Sequence, residues 1–283
     1  MKPGEIDKLA IIIIIGYKSS LSENEKASLR QCYKILHGYP IRIVSPKGMD
    51  VSEYKKVITD IQFEYVDPKW TSSYLMNSQF KTNSWLYNRY RDYGYLLFYE
   101  LDCWVFRDEL EYWCKKKWDY IGAPWFRGYE AGDSDQITGV GNGGFSLRNN
   151  KSSLRMTKRI QFLKKLRNAW FKYYLQPILP FEKLVRIFKK QLHIQQPSAL
   201  TSLLLDQYIL EDIYWTEKIA TVFDDFRVAS IEDAVKFGFE LNPSLLYKMN
   251  QHQLPFGCHH WEKYEPEFWK QFIPQLSLEL KDA

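Results

Sequence analysis

The stretch YGYLLFYELDCWVFRDEL, Tyr93 to Leu110, decides how the chain folds. Seven mostly apolar residues run into Glu100 and Asp102, and apolar residues resume after them. A run of this length and composition is expected to be a buried strand. Residues at i and i+2 of a strand point to one side, so Glu100 and Asp102 can face a common point. Two carboxylates held this close repel each other unless a proton or a cation lies between them. Oxygen ligands suit Mg²⁺ or Mn²⁺, ions that commonly carry a phosphate-bearing substrate. The same spacing also fits a solvated strand end on which Asp102 caps the next turn.

Upstream of this stretch, strand and helix patterns alternate. KLAIIIIIG, Lys8 to Gly16, is a β-branched run suited to the middle of a parallel sheet. SSLSENEKASLRQCYKIL has helical spacing, and Ser22 and Glu25 are placed as a capping box. YPIRIVSP is a second strand, ended by Pro46, and IQFEYVDP is a third. A helix is expected from Ser72 to Arg91. This order predicts an α/β fold with a doubly wound sheet. Ligands bind such sheets beyond the carboxyl ends of the strands, where Glu100 and Asp102 lie.

Downstream, WDYIGAPWF gives a short strand and then a loop. GVGNGGFSLRNN places Gly139, Gly141, Gly143 and Gly144 within six residues, ahead of an apolar strand. Glycines allow close approach of backbone to a ligand, and a hairpin or bulge would use them equally. Neither a P-loop nor a dinucleotide fingerprint is present, since no GK[ST] follows and no helix opens at once. TSLLLDQYILEDIYWTEKIA is a helix candidate with Glu211 and Asp212 inside it, and VASIEDAVKFGFE is another. By spacing alone the acidic pair is exposed. LPFGCHHWEKYEPEFW holds His259 and His260. Neighbouring residues of a strand point apart, so one of the two imidazoles is expected to serve a site. A neutral imidazole can complete a metal shell begun by carboxylates.

The composition, 45% hydrophobic and 26% charged, excludes a disordered chain. Aromatics make up 17%, which supplies core packing and also stacking surfaces for sugars or bases. Cys32, Cys103, Cys114 and Cys258 show no paired CxxC spacing, as expected of reduced thiols in a cytoplasmic protein. LAIIIIIG is far shorter than the roughly 20 residues of a membrane span, and no cleavage-site pattern follows it. Lys151 to Gln191 carries twelve Lys or Arg against the single acid Glu182, an excess of +11 in a chain of net charge +5. Leu163, Leu166, Trp170, Tyr174 and Ile178 recur within it at helical spacing. A basic amphipathic helix of this kind suits an anionic membrane surface. A nucleic-acid backbone and a solvated helical insertion are the alternatives.

Taken in order, LDCWVFRDELEYWC, DYIGAPW, GNGGFSLR, EDIYW and PFGCHHW resemble a little-characterised bacterial family of GT-A type glycosyltransferases, which use nucleotide-sugar donors. The resemblance covers nearly the whole chain apart from the basic segment. It implies one GT-A-like (Rossmann-like) domain over residues 1–283, a mixed, mostly parallel sheet flanked by helices. Residues 1–120 would form the nucleotide-binding half, 121–150 and 195–283 the acceptor and catalytic half, and 151–194 the basic helical insertion.

The same resemblance implies Mn²⁺ or Mg²⁺ as cofactor. Asp102 would be the main metal ligand and His259 the C-terminal one, with His260 as its substitute or a sugar contact. Glu100 stands where the first Asp of the motif is usual. It would be a further metal ligand, or would hold the ribose or a metal-bound water. Tyr17 and Lys18, with Glu100 and Asp102, would bind the donor nucleotide, a UDP-sugar. Asn142, Gly143, Gly144 and His260 would line the sugar and acceptor. Trp125 and Trp215 would stack on sugar rings or pack the core. Glu211 and Asp212 would be the catalytic carboxylates, with Asp212 as base of an inverting transfer. The acceptor would be a glycan or lipid-linked molecule of cell-envelope polysaccharide synthesis, at the inner face of the cell membrane, and no nucleic acid is expected. Two rival expectations remain at this point: a metal-dependent nuclease, resting on the carboxylates and the basic segment, and a glycan-binding protein without catalysis.

Overall fold

The computed structural model describes residues 8–128, 135–170, 198–205 and 209–274. The isoleucine run forms β1 (Lys8–Ile15), which pairs in parallel with β2 (Ile41–Pro46) on one side and β4 (Tyr93–Tyr99) on the other. β3 (Gln62–Val66) extends the sheet beyond β2, also in parallel. On the far side of β4, β9 (Phe145–Asn149) runs antiparallel, and β6 (Tyr120–Ile121) runs antiparallel to β9. The order is β3-β2-β1-β4-β9-β6, a mixed and mostly parallel sheet flanked by helices.

Side-chain alternation explains the uninterrupted isoleucines. Ile12 and Ile14 pack with Leu29, Cys32 and Leu36 of α1 (Glu23–Leu36) on one face. Ile11 and Ile13 pack on the other, with Leu86 and Tyr87 of α4 (Ser84–Arg89) and Met156 and Ile160 of α6 (Asn150–Trp170). Both faces are covered, so no position of the strand has a polar side to serve. Each such buried isoleucine contributes about 1.5–3 kcal/mol. The capping box opens α1 as expected: the Glu25 amide donates to Ser22 Oγ at 3.2 Å, and the Ser22 amide donates to the Glu25 carboxylate at 2.8 Å.

The helix expected from Ser72 to Arg91 is two, α3 (Tyr74–Lys81) and α4. Asn83 breaks it, because its side chain accepts from the Trp85 amide at 2.8 Å and starts the second helix. The break leaves Lys81 at the end of α3, only 3% exposed. The loop expected after Ile121 is a strand instead: β7 (Ala123–Phe126) pairs antiparallel with β8 (Ile137–Gly141).

A second, small sheet carries the C-terminal histidines. β11 (Gly257–His259) runs antiparallel to β5 (Cys103–Val105) and parallel to β10 (Gly238–Phe239). Trp104, Trp261 and Trp269 fill the core behind it. Its register sets His259 opposite Cys103, one residue from Asp102.

The first part of the basic segment is the helix α6. Met156 and Ile160 face inward, and Leu163 packs partly against the same core. Arg155 and Arg159 pair with Asp225 at 3.4 and 2.7 Å. The remainder of the segment, with Tyr174 and Ile178, lies outside the described residues. No helix among the described residues is long and apolar enough to cross a membrane. The four cysteines are buried and free.

Candidate active site

At the carboxyl ends of β1 and β4 lies a cavity of about 540 Å³, with Tyr17, Glu100, Asp102, Asp212 and His259 in its wall. A cleft of about 80 Å³ adjoins it, lined by Lys18 and Tyr54 and sharing Tyr17, Glu100 and Asp102.

Glu100 and Asp102 meet by a route that strand periodicity does not describe. β4 ends at Tyr99, and the Cys103 amide donates to the Glu100 carbonyl at 2.9 Å, closing a turn over Leu101 and Asp102. The Glu100 amide donates to the Gly144 carbonyl at 2.9 Å, which ties this turn to the glycine loop. The carboxylate of Glu100 pairs with the buried Lys81 ammonium, and its second oxygen stands 3.9 Å from His259 Nε2. Burial opposes its ionisation, but Lys81 outweighs this and holds its pKa below the ordinary carboxylate value.

Both histidines reach Asp102. His259 Nε2 lies 3.2 Å from Asp102 Oδ1, and His260 Nδ1 lies 2.6 Å from Asp102 Oδ2. The expectation that one imidazole serves the site while the other points away fails for a local reason. His260 has φ +52°, in the left-handed region, so the chain leaves strand geometry there. The two rings stack with centroids 3.8 Å apart. On its other side, His259 Nδ1 lies 2.9 Å from Glu240 Oε1. Burial disfavours charge on His259, yet Asp102 and Glu240 more than offset it and raise its pKa well above the ordinary value. Burial likewise opposes ionisation of Asp102, and His259 and His260 hold its pKa well below the usual range.

Glu211 and Asp212 do not lie inside a helix, as their spacing suggested. They form its first turn, Glu211–Ile213, which passes through a π-helical stretch, Tyr214–Ile219, into Ala220–Val222. Acidic residues suit that position, at the positive end of the helix dipole. Neither is exposed: both are 4% accessible. The Glu211 amide donates to Ser78 Oγ at 2.7 Å. Its carboxylate pairs with Arg148 and stands 3.7 Å from Lys81 Nζ. Asp212 lines the cavity, and burial, followed by the neighbouring Glu211 charge, raises its pKa to about 6.

Arg148 is fully buried, its guanidinium 4.0 Å from the centre of the Phe98 ring. It also donates to Tyr87 Oη at 3.2 Å, Ser146 Oγ at 3.1 Å and the Lys81 carbonyl at 3.3 Å. Glu211 is thus bound on two sides and serves as an anchor at the cavity wall. Removing one partner of a buried ion pair costs about 3–5 kcal/mol, because the other charge stays behind. Arg148→Leu is therefore expected to lower unfolding stability by that order in urea denaturation. A change under about 1 kcal/mol would show that Glu211 is held by other means.

The glycine loop is a wall against which two side chains close. A Cβ on Gly143 would overlap the Glu211 carboxylate, and one on Gly144 would overlap the His259 imidazole. Asn142 has φ +136°, and its Oδ1 accepts from the Gly144 amide at 2.7 Å and the Phe145 amide at 2.9 Å. It lines the cavity, yet its carbonyl side chain is spent on holding the loop. Trp125 packs against Gly141 and Trp215 stacks on Phe226 in the core, so neither lines the cavity. Lys18 turns to Glu25 at 2.8 Å, while Tyr17 stays 58% exposed at the cavity wall.

Sequence reasoning missed Lys81, Arg148 and Glu240. Arg148 had a signal, as the one charge in the apolar strand FSLRN. Lys81, at a helix end, and Glu240, after a two-residue strand, carry none.

Fold and site together define an α/β protein with a carboxylate–imidazole cluster beyond the carboxyl edge of its main sheet. The chain belongs to the family described as "Protein of unknown function (DUF5672)", which matches residues 60–259, a span that contains Lys81, Asp102, Arg148, Asp212 and His259. No curated protein matches the sequence. Among solved structures, the chain is similar to the mannosyltransferase Ktr4p from S. cerevisiae in complex with GDP, at 12% identity over 43% of this chain and 41% of that one, with TM-score 0.31. It is similar to the glycosyltransferase GlyE of Streptococcus pneumoniae TIGR4, at 12% identity over 89% of this chain and 54% of that one, with TM-score 0.41. It is also similar to the galactosyltransferase LgtC in complex with donor and acceptor sugar analogues, at 13% identity over 89% and 87%, with TM-score 0.44. The chain spans less than two thirds of the length of the Ktr4p and GlyE chains, at 41% and 54%.

Proposed function

We propose that the protein is a metal-dependent glycosyltransferase that moves a sugar from a nucleotide-sugar donor to a hydroxyl of a glycan or lipid-linked acceptor, with inversion. One observation carries this reading. Asp102 Oδ1 and His259 Nε2 are both buried, have no hydrogen-bond partner besides each other and stand 3.2 Å apart, in the cavity that also holds Asp212. Two ligands on one ion at right angles, each about 2.1 Å from it, are about 3 Å apart. The pair fits a divalent cation such as Mn²⁺ or Mg²⁺, and the motif resemblance in the sequence supports the same assignment. When bound, such a cation stabilises the negative charge that develops on a leaving diphosphate.

The rest of the work falls to the chain itself. Lys81 holds Glu100 by its carboxylate, so Glu100 shapes the diphosphate end of the cavity and is not the main ligand. Tyr17 offers an exposed ring at the end of β1 for the nucleotide. Asp212 takes the proton of the acceptor hydroxyl as that oxygen bonds to the sugar carbon and the carbon–phosphate-oxygen bond breaks. The carbon passes through an oxocarbenium-like state, as in other glycosyl transfers. With a pKa of about 6, Asp212 is ionised at neutral pH and more basic than an exposed aspartate.

Calorimetry with UDP, GDP, ADP and CMP, with and without Mn²⁺, tests the reading. Metal-dependent binding of one nucleotide supports it and names the donor class for transfer assays. No nucleotide binding, with salt-sensitive binding and cleavage of nucleic acid, would replace it with the nuclease reading.

A lipid-linked acceptor, and work at the inner membrane face, form the finer part of this proposal. Phe162, Leu166 and Trp170 are exposed at one-turn intervals along α6, a helix that also carries Lys158 and Lys165. This supports a peripheral contact with an anionic membrane. Co-sedimentation with anionic liposomes is expected for the intact chain and is lost in a Lys158→Glu, Lys165→Glu double variant. An intact chain that leaves such liposomes in the pellet without it would end this part of the proposal.

A further inference from the structure

We propose that Glu240 and His260 are a matched pair of positioning residues, each occupying one atom of a metal ligand so that the other faces the cation. The proposal rests on the metal site described above. Each of its two ligands has two atoms that a cation can take. On His259, Nδ1 is engaged by Glu240 Oε1 at 2.9 Å, which leaves Nε2. On Asp102, Oδ2 is engaged by His260 Nδ1 at 2.6 Å, which leaves Oδ1. The two atoms left over, Asp102 Oδ1 and His259 Nε2, are the buried pair with no hydrogen-bond partner besides each other.

Backbone geometry delivers both positioning groups. Glu240 follows β10, and the register Phe239 to Cys258 sets it beside His259 on the neighbouring strand. A carboxylate in that place accepts the Nδ1 proton, so Nε2 is the nitrogen left to a cation. His260 would point to the opposite side of an extended strand. Its left-handed φ of +52° folds the ring back over His259 and onto Asp102. A non-glycine residue in that region carries a conformational penalty, and such residues persist where their surroundings fix them. Here the Asp102 contact supplies the reason.

The pairing predicts which atoms matter, and the test uses Mn²⁺ affinity of the full chain by calorimetry, without nucleotide. His260→Asn keeps an N–H donor near the place of Nδ1, and wild-type affinity within about threefold is expected. His260→Gln and His260→Leu do not, and a loss of about 10- to 100-fold is expected. Glu240→Gln keeps an acceptor oxygen and should fall between wild type and Glu240→Leu, which should lose as much as His260→Leu. Near-UV circular dichroism and the metal-free melting temperature check that each variant is folded. A role in packing alone would lower that temperature and leave the Mn²⁺ affinity untouched. Wild-type affinity in folded His260→Gln and Glu240→Leu overturns the positioning roles while leaving the metal site intact. Absence of any divalent-cation binding in the wild type overturns the site itself, and this inference with it.

Discussion

Asp102→Ala is expected to abolish both metal binding and sugar transfer, the largest effect of any single change in the site. The variant removes Oδ1, one of the two buried atoms proposed to face the cation, and the oxygen that His260 engages. Glu100 is not placed to substitute, because Lys81 holds its carboxylate and its nearer oxygen is 3.9 Å from His259 Nε2. Without a cation the charge on the leaving diphosphate is unopposed, and transfer should fall by about 10³-fold or more. Calorimetry should show nucleotide affinity in Mn²⁺ reduced to its metal-free value. Retention of metal-dependent nucleotide binding would move the cation elsewhere. A stability signature accompanies this. Despite burial, His259 and His260 hold the Asp102 pKa well below its ordinary value. The pairing therefore stabilises the fold above the ordinary pKa of about 3.9 and is lost as pH falls through the depressed value. Asp102→Ala should lack that acid-sensitive component in pH-dependent melting.

Asp212→Asn is expected to leave metal and nucleotide binding intact and to lower kcat by about 10²- to 10⁴-fold, the range for loss of a general base. Asparagine has the same shape, so the effect is chemical. In the wild type kcat should rise with pH and level off above about 6, where Asp212 becomes ionised. The stability dependence has the opposite sign to that of Asp102. Burial and Glu211 raise the Asp212 pKa from 3.8 to about 6, so the folded state binds the proton more tightly than the unfolded one. Wild-type stability thus falls as pH rises across that window, by about 3 kcal/mol for a shift of this size. Asp212→Asn removes this and should melt higher than wild type at pH 7. A folded variant with kcat within fivefold of wild type would exclude Asp212 as the base.

The two variants are designed to separate the two ends of the cavity, whose residues were legible in the sequence to different degrees. That Asp102, Asp212 and His259 line one cavity was legible only from the order of the motifs, since spacing alone made Asp212 an exposed residue. β1 and the capping box of α1 were legible directly, because they depend on neighbours within a few residues. Strand alternation failed twice, at Glu100 with Asp102 and at His259 with His260. In both places the chain had already left the strand, through a turn in one case and a left-handed residue in the other. The partners of the buried charges were out of reach for another reason. Arg148 and Glu211 are 63 residues apart, and Lys81 and Glu100 are 19 apart. No periodicity joins such positions, and only the fold brings them into contact. Sequence left Trp215 open between a stacking platform and a core residue, and in space it is a core residue.

Arg148, Glu211, Lys81 and Glu100 alternate in sign along one buried path. That arrangement restricts how the site can drift among descendants. Loss of any one charge strands its neighbour in the interior, so a lineage passes through a poorly folding intermediate unless the partner changes as well. Substitutions here are expected to travel in pairs, or not at all. Changes of specificity are therefore expected at the cavity rim, and this charged spine is expected to change only as a unit.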